Sequence, residues 1–124
     1  MKTDPSTMFL QRLEGGAFAL IALWLYSFSG ESWWWFLLFI LAPDLSMLAY
    51  SAGPRLGSAV YNLVHTWVAP VLLWAVAWYA NASFLIALAF IWAAHIGIDR
   101  ALGYGLKLQS GFRDTHLGPI GRDS

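Results

Sequence analysis

The chain is 124 residues long, 59% hydrophobic and 11% charged, and carries no net charge. So apolar a composition lies outside the range of soluble globular domains, and the charge balance argues against nucleic acid as a partner. The lack of cysteine excludes disulfides, thiolate metal ligands and thiol nucleophiles.

A helix that crosses a bilayer needs about 20 mostly apolar residues, and four runs meet that length. The first, 10–28, contains Glu14 and leads to no small-residue cleavage site, so it is expected to be retained rather than removed as a signal peptide. The second, 33–50, follows the breaker segment 29–32 and opens on Trp33, Trp34 and Trp35. The third, 56–79, follows the Gly53-Pro54 break, and the fourth, 84–106, follows Asn81-Ala82-Ser83. A tail, 107–124, remains. Connections this short predict antiparallel neighbours, so the expected fold is all-α: a four-helix transmembrane bundle in one domain, 1–124.

Positive residues near span ends are retained in the cytoplasm. Lys2 and Arg12, then Arg55, then Arg100, Lys107, Arg113 and Arg122 all fall on one side of this topology, and the loops 29–32 and 81–83 hold none. Both termini are therefore expected to be cytoplasmic, in a multi-pass protein of the cell inner membrane. Trp24, Tyr26, Trp33, Trp34, Trp35, Trp74, Trp78 and Tyr79 gather at the opposite ends, as an interfacial aromatic belt does.

Glu14, Asp44, His65, His95 and Asp99 fall inside the spans, in their cytoplasmic halves. A charge at the bilayer centre costs roughly 2.5–3.5 kcal/mol on the insertion scale, so such groups face the bundle interior and have partners. His95 and Asp99, four residues apart, share one helical face. Tyr61 and Asn62 precede His65 by four and three residues and are placed to orient its imidazole. Pro43 and Pro70 deprive the carbonyls of Phe39 and Thr66 of their helical partners, which opens backbone near the polar level. Two imidazoles and two carboxylates, Asp44, His65, His95 and Asp99, form a ligand set suited to a divalent metal: zinc, manganese or iron. Each group also has a structural alternative, such as Asp44 paired with Arg55 or Arg12, Asp99 with Arg100, or Glu14 snorkelling to the surface. In the tail, Asp114 and His116 are candidates, with Glu14, for acid and base duty, and Arg113 for gripping an anionic headgroup. Gly15-Gly16 and Gly103-Tyr104-Gly105 read as close-packing or helix-end glycines.

Long stretches of the chain resemble a bacterial family catalogued as domain of unknown function 4260. The likeness lies in Arg12-Leu13-Glu14-Gly15, Ala42-Pro43-Asp44-Leu45-Ser46-Met47, Tyr61-Asn62-Leu63-Val64-His65-Thr66, the run from His95 through Asp99 to Lys107, and Gly111-Phe112-Arg113-Asp114-Thr115-His116-Leu117-Gly118. That resemblance implies no activity. A weaker likeness is to membrane-bound metal-dependent hydrolases, whose order of motifs Pro43-Asp44, His65-Thr66, and His95 with Asp99 follow. The chain departs from them in lacking a second Asp after Pro43-Asp44 and a second His in the third span.

The leading expectation is a metal centre near the cytoplasmic face that activates water toward a lipid-like or amphiphilic substrate, with membrane lipids as partners. Its rivals are a lipid, ion or proton binding or transport protein, a haem protein with His65 and His95 as axial ligands, and a structural membrane subunit. Dimerisation into a homodimer is compatible with so small a bundle.

Overall fold

The computed structural model describes residues 4–104 and the backbone of 107–108 and 111–115. Helix α1 spans Pro5–Ser27, five residues earlier than hydropathy places it. Asp4 caps it, accepting hydrogen bonds from the hydroxyls of Ser6 at 2.9 Å and Thr7 at 3.0 Å. These two bonds, that of Ser6 foremost, hold the Asp4 carboxyl below the usual aspartate range. Pro5 sits at the first helical position, where its missing N–H leaves nothing unsatisfied.

The second span is not one α-helix. Helix α2, Trp33–Phe39, is capped by Ser32 and stops before Pro43, and the chain continues as a 3₁₀ helix, Ala42–Ala52. A 3₁₀ run this long is unusual, and within a span it marks strain or function. The third span is also divided, into α3, Pro54–Val64, and α4, Val68–Tyr79, bent by 46°. The break falls just ahead of Pro70, which cannot donate to Thr66. Helix α5, Ser83–Ala101, is continuous and ends five residues short of the expected boundary. A Schellman motif terminates it: Gly103 has φ +92°, its N–H reaches the Arg100 carbonyl at 3.0 Å, and the Tyr104 N–H reaches the Asp99 carbonyl at 2.7 Å.

Three helical segments, Pro5–Ser27, Trp33–Ala52 and Ser83–Ala101, are long and apolar enough to cross a membrane, and the bent pair makes a fourth when counted as one span. Of the four expected spans, three or four are thus supported by length and composition, and the second and third are interrupted. The tail adds a two-stranded antiparallel ladder, β1 (Lys107–Leu108) and β2 (Gly111–Thr115), which lies beside α3.

Helix α5 is the axis of the molecule and packs against α1, α2 and α4. Its crossing with α1 is made by small residues. A Cβ on Gly97 would lie 2.6 Å from the Gly15 carbonyl oxygen and 2.7 Å from the Ala19 nitrogen, and one on Gly15 would run into the Arg100 side chain. Lipid offers no hydrophobic drive to associate helices, so backbone approach of this kind is what brings van der Waals contact. Further out, Ala22, Tyr26, Phe36, Ala87, Ile91 and Ala94 form the core. Tyr26 therefore belongs to the interior and not to the aromatic belt: its hydroxyl donates to the Ser32 carbonyl at 2.6 Å. Trp24, Trp34, Trp78 and Tyr79 are exposed as the belt requires.

Candidate metal centre

The two interruptions release backbone carbonyls inside the molecule, and α5 supplies donors to them. His95 donates through Nδ1 to the Ile40 carbonyl at 2.6 Å, at the end of α2. Trp92 donates through Nε1 to the Val64 carbonyl at 2.7 Å, and Arg100 donates to the His65 carbonyl at 2.9 Å, both at the break between α3 and α4. A free carbonyl in a bilayer costs several kcal/mol, roughly, so each break is tied to the continuous helix beside it. The same ties bring the polar side chains into register.

His65, at the C-terminal cap of α3, donates through Nδ1 to the Tyr61 carbonyl at 2.8 Å. Its ring stacks on that of Tyr61, with centroids 3.8 Å apart and planes 11° from parallel. Asn62 helps through its backbone, accepting from the His65 N–H at 3.1 Å. A carbonyl only accepts, so both imidazoles carry their proton on Nδ1 when neutral, and both Nε2 lone pairs point inward.

Those two nitrogens lie 3.1 Å apart. Asp44 Oδ1 is 3.2 Å from His65 Nε2 and 3.1 Å from His95 Nε2, and Asp99 Oδ2 is 3.6 Å and 3.2 Å from them. All four ligand atoms fall within 4.8 Å of one another. Two lone pairs and two carboxylates facing each other at such distances repel unless a proton or a metal ion stands among them. Bonds of about 2.0–2.1 Å to a tetrahedral ion would set ligand atoms about 3.3–3.4 Å apart, and the separations that involve an imidazole bracket that value. The donor set, two imidazoles and two carboxylates without sulfur, fits a borderline or hard dication. The Nδ1–H bonds to backbone are the second-layer contacts that metal-binding histidines make.

The imidazoles are sealed, at 0% and 3% exposure, while the side chains of Asp99 and Asp44 are 13% and 30% exposed. The centre is therefore reached from the 3₁₀ helix.

Asp44, His65, His95 and Asp99 converge as the sequence predicts. Glu14 does not join them: it lies on the exposed side of α1, whose adjacent Gly15 faces α5. Asp114 and Arg113 lie on β2, where the backbone alone is described, and His116 lies outside the described residues. Neither Arg12 nor Arg55 pairs with Asp44; Arg12 donates instead to the Ala101 carbonyl at 2.9 Å. Sequence reasoning gave Arg100 only a structural role beside Asp99. It is 6% exposed and spans from the His65 carbonyl to the Tyr104 carbonyl at 3.0 Å. Its place in the His95–Asp99 helix, beside a proline-broken span with carbonyls to satisfy, was the available signal.

Fold and site together define a helical membrane protein with a buried imidazole–carboxylate group able to hold a metal ion. The chain belongs to the family described as domain of unknown function 4260, whose family model matches residues 8–120. No curated protein and no solved structure matches it, and the likeness to membrane-bound metal-dependent hydrolases gains no support.

Proposed function

We propose that the chain is a membrane-embedded divalent-metal protein held by Asp44, His65, His95 and Asp99, and that the metal serves hydrolysis of a lipid-like or amphiphilic substrate. One observation carries the metal reading: both imidazoles are locked with Nδ1–H on backbone carbonyls, which aims two Nε2 lone pairs at each other 3.1 Å apart, between two carboxylates. Zinc, manganese and iron all accept this donor set. A dication there supplies a Lewis acid and lowers the pKa of bound water. The partial exposure of Asp44 supports an exchangeable position and therefore chemistry. The one-sided distribution of Lys and Arg supports an orientation with both termini cytoplasmic and the centre in the inner half of a cell inner membrane. Asp114, on β2 beside α3, and His116 remain the proposed proton carriers.

A second reading is a structural ion that fixes helix register without reaction. The count of four protein ligands favours it, because structural zinc sites are closed in this way. Incubating chelator-stripped and metal-reloaded protein with total membrane lipid, and following released products by mass spectrometry, separates the two. Metal-dependent loss of a lipid class is expected. Metal binding with no turnover of any lipid would contradict hydrolysis and leave the structural ion.

A further inference from the structure

Among the described residues, the charges around the centre do not balance once a dication is bound. The carboxylates of Asp44 and Asp99 offset the ion, the neutral imidazoles add nothing, and the Arg100 guanidinium adds one positive charge. Among the described residues no carboxylate lies within 4.0 Å ion-pairing distance of Arg100, whose hydrogen bonds go to the carbonyls of His65 and Tyr104. A cation 6% exposed within a membrane domain is expensive unless compensated, and its field is weakly screened there. The His65 carbonyl that holds it belongs to one of the four residues of the centre, so the positive charge lies beside the centre.

Access has its own chemistry. Of the four ligands Asp44 is the most exposed, and it rides on the 3₁₀ helix. Around it on that stretch of chain, Leu41, Leu45 and Leu48 are 66%, 67% and 74% exposed. In a span, such leucines face hydrocarbon. A visitor to the open side of the metal therefore passes an apolar rim and meets a positive site.

Resting on the metal reading above, we infer that the loaded centre takes an anionic oxygen ligand, the phosphate headgroup of an acidic membrane lipid, which enters from the bilayer past Leu41, Asp44, Leu45 and Leu48. Free phosphate shares the headgroup chemistry but lacks the tail that the rim accommodates.

The test uses the full chain in an uncharged detergent, loaded with Co²⁺, whose visible spectrum reports its ligands. Dioleoyl phosphatidic acid, inorganic phosphate and dioleoylglycerol are titrated in turn. Phosphatidic acid is expected to change the spectrum and saturate, at a midpoint at least about tenfold below that of inorganic phosphate, while dioleoylglycerol leaves it unmoved. Arg100→Gln, read on its metal-loaded fraction, is expected to raise the midpoint about tenfold, and Arg100→Lys, which keeps the charge, to restore it to within about threefold. Bound Co²⁺ whose spectrum neither anion moves would overturn the inference and leave the metal reading intact. So would an equal response to dioleoylglycerol. Inorganic phosphate binding as tightly as phosphatidic acid would overturn the lipid source, and failure to bind Co²⁺ at all would remove both readings.

Discussion

Asp44 is the residue on which the centre's chemistry turns, because one oxygen, Oδ1, stands 3.2 Å and 3.1 Å from the two imidazole nitrogens. Asp44→Asn keeps an oxygen in that place and removes its charge, so affinity for the dication should fall at least about tenfold, measured by competition against a chromogenic chelator. Affinity should also fall as pH is lowered, since protons compete for the same Nε2 lone pairs. The four residues of the cluster were legible in the sequence because ionisable groups are scarce inside apolar spans and helical spacing already placed His95 over Asp99. Arg100 was harder to read. A cation near a span end ordinarily snorkels to the surface, and the His65 carbonyl released at the break, with that of Tyr104, holds this one inward.

At the scale of elements, the α1–α5 crossing depends on the absence of two side chains. Gly97→Ala places a methyl 2.6 Å from a backbone oxygen and 2.7 Å from a backbone nitrogen, atoms that cannot step aside. A loss of about 1–3 kcal/mol is expected from overpacking, read as a lowered unfolding midpoint in detergent. Gly16→Ala is the matched control: its Cβ would meet Ala101 Cβ at an ordinary 3.7 Å, and stability should change by no more than about 0.5 kcal/mol. The spans themselves were visible as hydropathy, which counts apolar residues and is blind to how they bend. The 46° turn between α3 and α4 and the 3₁₀ run after α2 were signalled only by Pro70 and Pro43. A missing N–H marks where a helix is weakened; whether it breaks depends on donors such as His95, Trp92 and Arg100 on another element, which local pattern does not show.

For the whole molecule, the continuous α5 holds two interrupted spans by the carbonyls their breaks expose, and the side chains at those breaks form the centre. Topology can be checked cheaply because the chain has no native cysteine. Single cysteines at Ser29 and Asn81, in the two loops without Lys or Arg, should react with a membrane-impermeant maleimide in intact cells, and one at Asp4 should react only after lysis. Labelling of all three from outside would contradict the proposed orientation. The tail was the least legible part, since its glycines and mixed polarity point to no periodic element, and its ladder arises from antiparallel pairing of Lys107–Leu108 with Gly111–Thr115 beside α3.

The central claim is that four side chains from three spans hold one divalent ion. Elemental analysis of protein purified without added metal or chelator, beside His65→Ala and His95→Ala, tests it most directly. About one zinc, manganese or iron per wild-type chain is expected, with background levels in both variants. Wild-type protein without stoichiometric metal, or variants that keep it, would contradict the account.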